Sequence, residues 1–281
     1  MKYKITAFLL IALLLCTTLQ SIAATEPQDS LDDSIPNWTV GESWTYTIYD
    51  FSTALNVEGQ LMAFDGRIDD MVMTVSSIGS STKTVDFTGT LDGDFTGHIG
   101  TTVGNLMIQA DVYPRLSKMS GKLVYNNELQ LKHVEAEVVG ITLLYTDRLP
   151  IPLPYPFRAT LTQDYSTPFP LLDFPLYGWK FWSLPDNTVT TQIRLGDYFG
   201  LATYTLTITQ NLPYIPLPFA FFCDSKNSVL VDAGTFDAYH ISLPLFQGLS
   251  VHYAPSVGNI IKYNIETDNT DFRGELKAYS G

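Results

Sequence analysis

The fold is decided by residues 231–266, VDAGTFDAYHISLPLFQGLSVHYAPSVGNIIKYNIE. This stretch predicts one strand over 235–243, a loop, a second strand over 250–253, a tight turn over 254–259 and a third strand. In the third strand Ile261, Tyr263 and Ile265 alternate with polar residues, which is the period of a sheet with one face in water. The C-terminal third therefore predicts an antiparallel sheet.

The start of the chain shows the same two-residue period. Trp44, Tyr46 and Ile48 alternate with Thr45, Thr47 and Tyr49, and this alternation predicts a first strand with an aromatic inward face. No stretch of the chain carries a sustained apolar period of 3.6 residues with caps, so few helices are expected.

The middle of the chain predicts an antiparallel meander. Between 61 and 146, short strand-like runs alternate with turn signals, with a hairpin across Asn126-Asn127 and a break at Pro114. Residues 188–209 predict a further hairpin, and a helix over 56–70 stays open as an alternative. The expected fold is all-β, a large curved antiparallel sheet or half-barrel with proline-rich loops.

Two similar proline-rich segments interrupt the meander. They span 149–157 (LPIPLPYPF) and 212–219 (LPYIPLPF). Proline has no N–H to give to a strand ladder, so both segments are expected to be extended loops rather than central strands. Between them, glycine and aromatic residues around Trp179 predict a lid or corner inserted into the sheet.

The N-terminus predicts export. A basic start, an apolar run over 5–15 and small residues before Ala24 are typical of a secretory signal peptide over 1–24. The apolar run is shorter than the roughly 20 residues that a bilayer requires. An acidic, aperiodic leader over 25–35 is expected to be disordered, and 36–281 to be a single all-β domain. The expected location is secreted or extracytoplasmic, with no transmembrane anchor in the mature chain.

Composition narrows the classes of partner. The formal net charge is −13, which repels phosphate backbones and makes nucleic acid an improbable partner. Aromatic residues make up 13% of the chain against 16% charged residues, which indicates an aromatic-rich core or an apolar surface with a use. Cys223 has no second cysteine in the mature chain to pair with, and a buried, inert thiol is expected.

Three motifs together carry a family resemblance. They are Val40-Gly41-x-x-Trp44-x-Tyr46, then Ala233-Gly234-Thr235-Phe236-Asp237-Ala238, and then Tyr253-Ala254-Pro255-x-Val257-Gly258, with an extended Ile261-Lys262-Tyr263 after the last. The set resembles a loose group of prokaryotic secreted β-rich proteins of uncharacterised role, similar to the lipoprotein-carrier (Lol-type) half-barrel fold. The resemblance covers the two ends of the chain. It implies a curved antiparallel sheet whose concave face holds acyl chains.

Signals for catalysis are weak. The histidines His98, His133, His240 and His252 are scattered, although the last two lie on neighbouring predicted strands and are candidates to face each other. Paired acids at 69–70, 92–94 and 268–271 lie in turn-like stretches, where aspartate commonly satisfies turn amides. No nucleophile motif or phosphate loop is found, so no catalytic residue, metal or cofactor is expected. A hydrolase that uses scattered acids remains the catalytic alternative.

The aromatic and proline-rich segments are the remaining candidates for a site. Eight aromatics are expected to form the rim of an apolar groove: Tyr155, Phe157, Phe174, Trp179, Trp182, Tyr214, Phe219 and Phe222. The expected function is a non-enzymatic binding protein whose apolar concave face takes a lipid or another hydrophobic ligand. The alternatives are that these aromatics are ordinary core residues, and that the protein is a cell-surface structural or adhesion module that binds a surface protein.

Overall fold

The computed structural model describes residues 34–57, 60–101, 104–146, 153–197, 203–217, 221–243, 248–267 and 270–280. Within these ranges the chain is all-β, without helices, and forms one antiparallel sheet of fourteen strands that is not closed into a barrel. The predicted fold class is therefore confirmed. The predicted signal peptide and residues 25–33 of the predicted leader lie outside the described residues.

The strands vary widely in length, from three residues to twenty-three. In chain order they are β1 Ser43–Val57, β2 Gln60–Ile78, β3 Thr82–Thr101, β4 Gly104–Asn126, β5 Leu131–Thr146, β6 Leu153–Phe169, β7 Lys180–Trp182, β8 Asn187–Asp197, β9 Thr203–Leu212, β10 Phe221–Val231, β11 Gly234–Ser242, β12 Leu249–Ala254, β13 Asn259–Thr267 and β14 Thr270–Ser280.

The order of the strands in the sheet is β7-β10-β11-β12-β13-β14-β1-β2-β3-β4-β5-β6-β8-β9. Two meanders, β1 to β6 and β10 to β14, therefore lie side by side, and the first strand pairs with the last from Ser43↔Ser280 to Thr53↔Thr270. β7 is the exception to the meander, because the chain leaves β6, crosses to the far edge of the sheet, and returns to form β8.

The two ends of the sheet approach each other at a seam, which is the isolated bridge between Leu184 and Ile215. Leu184 follows β7 and Ile215 follows β9, the two edge strands. Their backbones exchange two hydrogen bonds, 3.1 Å from Leu184 N to Ile215 O and 2.9 Å in return. Phe169 at the end of β6 also meets Phe221 of β10, with ring centroids 6.3 Å apart. The curvature of the sheet thus brings its ends together without a continuous ladder.

A transverse line of pairing irregularities crosses the long strands. Shifts in register fall between Tyr46 and Phe51 in β1, between Asp69 and Val72 in β2, between Gly89 and Gly93 in β3, and between Val112 and Ser117 in β4. Bulges bend a strand and increase its twist locally. Because these register shifts lie side by side on neighbouring strands, they divide each of the strands β1 to β4 into two regularly paired parts.

At one end of the sheet the inner face is covered by a segment of the same chain. Residues 170–176, which we call the plug segment, run through the core after β6, and Leu171, Leu172 and Phe174 are buried. The Phe174 ring lies 5.4 Å from that of Tyr253, and the Tyr239 hydroxyl donates a hydrogen bond to the Leu176 carbonyl over 3.1 Å. The inner face at this end of the sheet is therefore a packed core.

The C-terminal strands and the first strand agree with the sequence. The predicted strands over 235–243 and 250–253 correspond to β11 and β12, and the turn over 254–259 leads into β13. Trp44, Tyr46 and Ile48 of β1 point inward and are buried, as the alternation predicts. Cys223 is also buried, within β10, as expected for an inert thiol.

One open alternative and two local predictions fail. Residues 60–70 belong to β2, so the helical alternative fails. Pro114 lies inside β4, and the chain accommodates it at the register shift before Ser117 rather than by ending the strand. The first proline-rich segment is partly a strand, because β6 begins at Leu153. Residues 149–152 lie outside the described residues.

The spacing of the prolines in β6 lets the strand accommodate them without losing hydrogen bonds to a neighbouring strand. Pro154 and Pro156 pair with Leu143 and Ile141 of β5, whereas pairing with β8 begins only at Phe157. Residues two apart in a strand direct their backbone groups to the same edge. Both missing N–H groups can therefore face the edge where β8 is not yet paired. The second segment is a loop over 213–217, apart from the bridge at Ile215.

Among the described residues no helix is long and apolar enough to cross a membrane.

Candidate functional site

The most unusual surface of the described chain lies on the edge strand β7. This strand pairs with β10 through Lys180↔Cys223, Phe181↔Phe222 and Trp182↔Phe221. Lys180 and Trp182 point inward and are buried, and Phe181 points outward. The inward Trp182 stacks on Phe221 with a centroid distance of 5.5 Å and an interplanar angle of 21°. The inward side chains of β7 thus belong to the core, and their packing fixes the position of the outward Phe181.

Trp179, Phe181 and Phe222 meet on the outer side of this edge, and the exposed Tyr177 lies two residues before Trp179, with the Lys180 Nζ 5.4 Å from its ring centroid. We call these four residues the aromatic cluster. The Phe222 ring lies 4.6 Å from that of Phe181 and 5.7 Å from that of Trp179, measured between centroids. Trp179 is 70% exposed, and Tyr177 and Phe181 are exposed as well. Among the four tryptophans of the chain, Trp38, Trp44 and Trp182 are buried, so Trp179 alone faces solvent.

The backbone of Trp179 is in a conformation that bulky residues rarely adopt. Its φ is 68°, in the left-handed region, where a side chain beyond glycine, asparagine or aspartate is an outlier. Its amide donates a hydrogen bond of 2.8 Å to the carbonyl of Cys223. Such strain costs about 1–3 kcal/mol and persists only where the surroundings enforce it. The surroundings here include a buried ion pair.

That ion pair joins Lys180 to Asp173 of the plug segment. The Lys180 Nζ lies 2.8 Å from Asp173 Oδ2, and both side chains are less than one-tenth exposed. The ammonium also donates to the carbonyls of Asp173, at 2.5 Å, and of Pro175, at 2.9 Å. All three protons of the ammonium therefore have acceptors. These contacts close the loop from 173 to 180, which leads into the aromatic cluster.

The electrostatics of this pair are set by burial. Burial raises the pKa of the Asp173 carboxyl above its ordinary value, and Lys180 opposes that rise by hydrogen bonding and by charge. The second oxygen, Oδ1, is buried and has no hydrogen-bond partner among the described residues. The carboxylate therefore depends on Lys180 for its compensation.

The eight aromatics expected at a rim are only partly brought together. Trp179 and Phe222 meet in the aromatic cluster, whereas Phe174 and Trp182 lie in the core. Tyr214 is exposed in the loop after β9, and Tyr155 and Phe157 are half-buried in β6. Phe219 lies outside the described residues.

Two members of the aromatic cluster, Tyr177 and Phe181, were not among the expected residues. The signal for them is in the sequence, since residues 176–182 are apolar at both odd and even positions apart from Gly178 and Lys180. A strand that is apolar on both faces must bury both or expose one. In β7 the inner face is buried and the outer face is exposed.

The described acids of the expected pairs lie close to basic side chains. Arg67 lies 3.4 Å from Asp69 and 2.8 Å from Asp92, and Lys277 lies 2.5 Å from Asp70. These acids and Asp94 lie within β2 and β3 rather than in turns, which corrects the placement expected from sequence. Asp268 lies outside the described residues. Asp69, Asp70 and Asp92 are thus engaged with cations on the sheet.

The histidines occupy two different settings. His133 contacts Asp164 at 2.7 Å through Nδ1 and Glu135 at 2.9 Å through Nε2. His240 and His252 are direct partners on β11 and β12, as their predicted strands suggested, with ring centroids 5.0 Å apart. Within the described ranges, no group of three or more histidine, cysteine or acidic side chains is arranged to hold a metal ion.

Comparison with models of protein families, with curated proteins and with solved structures finds no match to this chain.

Proposed function

We propose that this protein is an exported, non-catalytic binding protein whose aromatic cluster takes the acyl chain of a lipid. The observation that carries the proposal is the exposure of Tyr177, Trp179 and Phe181 near Phe222. The buried Asp173–Lys180 ion pair fixes the segment that carries the first three of these residues. Exposed aromatic groups held in fixed geometry lose little entropy when they bind, so their apolar area is available for affinity. The expected site thus moves from the concave face to the edge at β7.

The chemistry of the cluster favours a lipid with no net negative charge. Tryptophan and tyrosine combine an apolar ring with a polar tip, and so they suit the boundary between an acyl chain and water. Lys180, whose Nζ lies 5.4 Å from the centroid of the Tyr177 ring, is buried and has its charge matched by Asp173. The chain as a whole carries a net charge of −13, which disfavours anionic headgroups. A zwitterionic lipid such as phosphatidylcholine is therefore the suitable probe.

Fluorescence of Trp179 provides the test. Because the other three tryptophans are buried, quenching by iodide in water should report mainly on Trp179. Addition of short-chain phosphatidylcholine below its micellar concentration, or of phosphatidylcholine vesicles, should shift the emission to the blue and reduce the quenching. A response to the short-chain lipid as well as to vesicles would identify capture of single lipids, and a response to vesicles alone would identify docking on a bilayer.

A matched pair of variants separates the cluster from general surface hydrophobicity. The double variant Phe181→Ser/Phe222→Ser retains the reporter and should lose the lipid response. Leu230→Ser removes another highly exposed apolar side chain, 73% exposed on β10, and should leave the response unchanged. An unchanged wild-type spectrum, with full quenching at saturating lipid, would rule out the proposal.

A surface module that binds another protein is a second candidate, and one specific observation favours it. The plug segment already fills the inner face at this end of the sheet, and the aromatic cluster stays outside, as an exposed apolar patch. For this function, a photoreactive residue placed at Tyr177 should crosslink to a single protein in the native host. The same residue placed at Leu230 should not, and crosslinking to lipid alone from Tyr177 would favour the first proposal.

A further inference from the structure

We propose that His240 and His252 form a two-imidazole site for a divalent transition metal, with Zn²⁺ as the best match. The two residues are opposite each other on β11 and β12, and their rings are 5.0 Å apart with an interplanar angle of 36°. Their neighbours Tyr239, Ile241 and Val251 are buried on the inner face. Both imidazoles therefore project from the outer face, and the packed core fixes the strands that carry them.

The distance between the rings fits tetrahedral coordination. A Zn–N bond is about 2.0 Å, which places the metal about 3.1 Å from each ring centroid. Two imidazoles on one metal then have centroids about 4.4 Å apart at a right angle and about 5.1 Å apart at the tetrahedral angle. The observed separation of 5.0 Å lies close to the tetrahedral value. Two water molecules would complete four-coordination, as zinc sites with open positions allow.

The state of His252 supports metal binding. Its Nδ1 is buried and has no hydrogen-bond partner among the described residues, so one of the ring nitrogens is not used by the fold. A ring nitrogen that has no hydrogen bond to the fold is not committed to another partner, and imidazole nitrogen is a common metal ligand.

The charges around the pair come from the next two strands. Lys262 of β13 is the cross-strand partner of His252, and it opposes a cation. Glu275 of β14 lies 3.4 Å from the Lys262 ammonium and offsets part of that charge. The net charge of −13 favours a cation at longer range. Removal of the Lys262 charge should consequently tighten metal binding.

Histidine-resolved NMR tests the site directly. Full-length mature protein labelled with ¹⁵N-histidine is titrated with ZnCl₂ at pH 7.5 in a buffer that does not chelate zinc. The ring nitrogens of His240 and His252 should shift together with a single saturation curve. His240→Gln and His252→Gln should each weaken the binding of zinc by about tenfold or more, since each removes the advantage of two ligands on one frame.

Two further variants make the result specific. His133→Gln removes another histidine that is held on the sheet surface, by Asp164 and Glu135, and it should leave zinc binding unchanged. Lys262→Gln should lower the Kd for zinc several-fold. Zinc shifts confined to His133, or saturation at different zinc concentrations for His240 and His252, would overturn the proposal. So would the absence of shifts up to millimolar zinc.

Discussion

At the scale of single residues, the most consequential interaction is the one between Lys180 and Asp173. Both charges are buried, and they tie the plug segment to the strand that carries the aromatic cluster. A buried pair contributes little compared with apolar residues of the same shape, but breaking it leaves a charge without compensation. Its role is therefore to hold Trp179 in place rather than to add to stability.

Lys180→Met tests this role. The variant leaves Asp173 buried with one oxygen already lacking a partner, so the free energy of unfolding should fall by about 3–5 kcal/mol in urea denaturation. The double variant Lys180→Met/Asp173→Leu should recover most of the loss while the exposure of Trp179 to iodide changes. A loss of less than about 1 kcal/mol in the single variant would contradict the assignment.

The stability of the fold should depend on pH through His252. The unfolded chain protonates this side chain below its ordinary pKa of 6.5, whereas the folded chain does so only near 4, because of burial and the charges of His240 and Lys262. The contribution to stability is therefore fully present above pH 6.5 and is lost as the pH falls toward 4. The loss amounts to about 3 kcal/mol.

Carboxylates titrate in the same range, so the comparison must be made between variants. The difference in unfolding free energy between wild type and His252→Gln should shift by that amount between pH 7 and pH 4, in the direction that weakens wild type. A difference that is constant across this range would show that His252 titrates in the folded protein as it does in the unfolded chain.

At the scale of elements, cross-strand packing of aromatics on glycine shapes the sheet. Gly121 of β4 is the direct partner of Phe87 of β3, and the Phe87 ring covers it. A Cβ on Gly121 would collide with this ring and with the carbonyl oxygen of Glu135 in β5. The close approach of three strands at this point therefore requires glycine.

Gly121→Ala should destabilise the fold by about 2–3 kcal/mol, because the ring of Phe87 must leave its position and the backbone must shift. Gly79→Ala is the matched control, since a Cβ there would meet its nearest neighbour, the Thr82 carbonyl oxygen, at 3.3 Å. The two variants are compared by thermal unfolding. Equal melting temperatures for the two would mean that the sheet yields at Gly121 without cost.

The elements also show how far sequence reasoning reaches. Strands with one wet face, such as β1 and β13, are predictable because the alternation of side chains is a local pattern. The presence of Pro114 and Pro154 inside strands was not predictable. A strand tolerates proline only where the neighbouring strand does not pair with the missing N–H group, and that depends on the neighbouring strand. The site was predictable only in part, since residues 176–182 are apolar at both odd and even positions and the sequence does not say which face stays exposed.

At the scale of the whole molecule, pairing between distant segments defines the architecture. β1 pairs with β14, and β7 pairs with β10 rather than with the strands that flank it in sequence. Contacts between inner rings accompany these long-range pairings: the Tyr46 ring lies 5.5 Å from that of Tyr263, and the Phe174 ring lies 5.4 Å from that of Tyr253. No local period encodes them, so a single sequence indicates the sheet but not its order.

The seam at Leu184 and Ile215, where the two ends of the sheet meet, is expected to open more easily than the centre of the sheet. In the part of the chain that the structure describes, a single bridge with two hydrogen bonds joins their backbones, whereas β1 is paired along its length to β2 and β14. Amides that depend on a single bridge can open locally, but those in the centre of the sheet exchange only with larger unfolding. Hydrogen exchange should therefore be fast at Leu184 and Ile215 and slowest in β1. If the amides at the seam were as protected as those of β1, the sheet would behave as a closed structure, and the β7 edge with its aromatic cluster would not be a free edge.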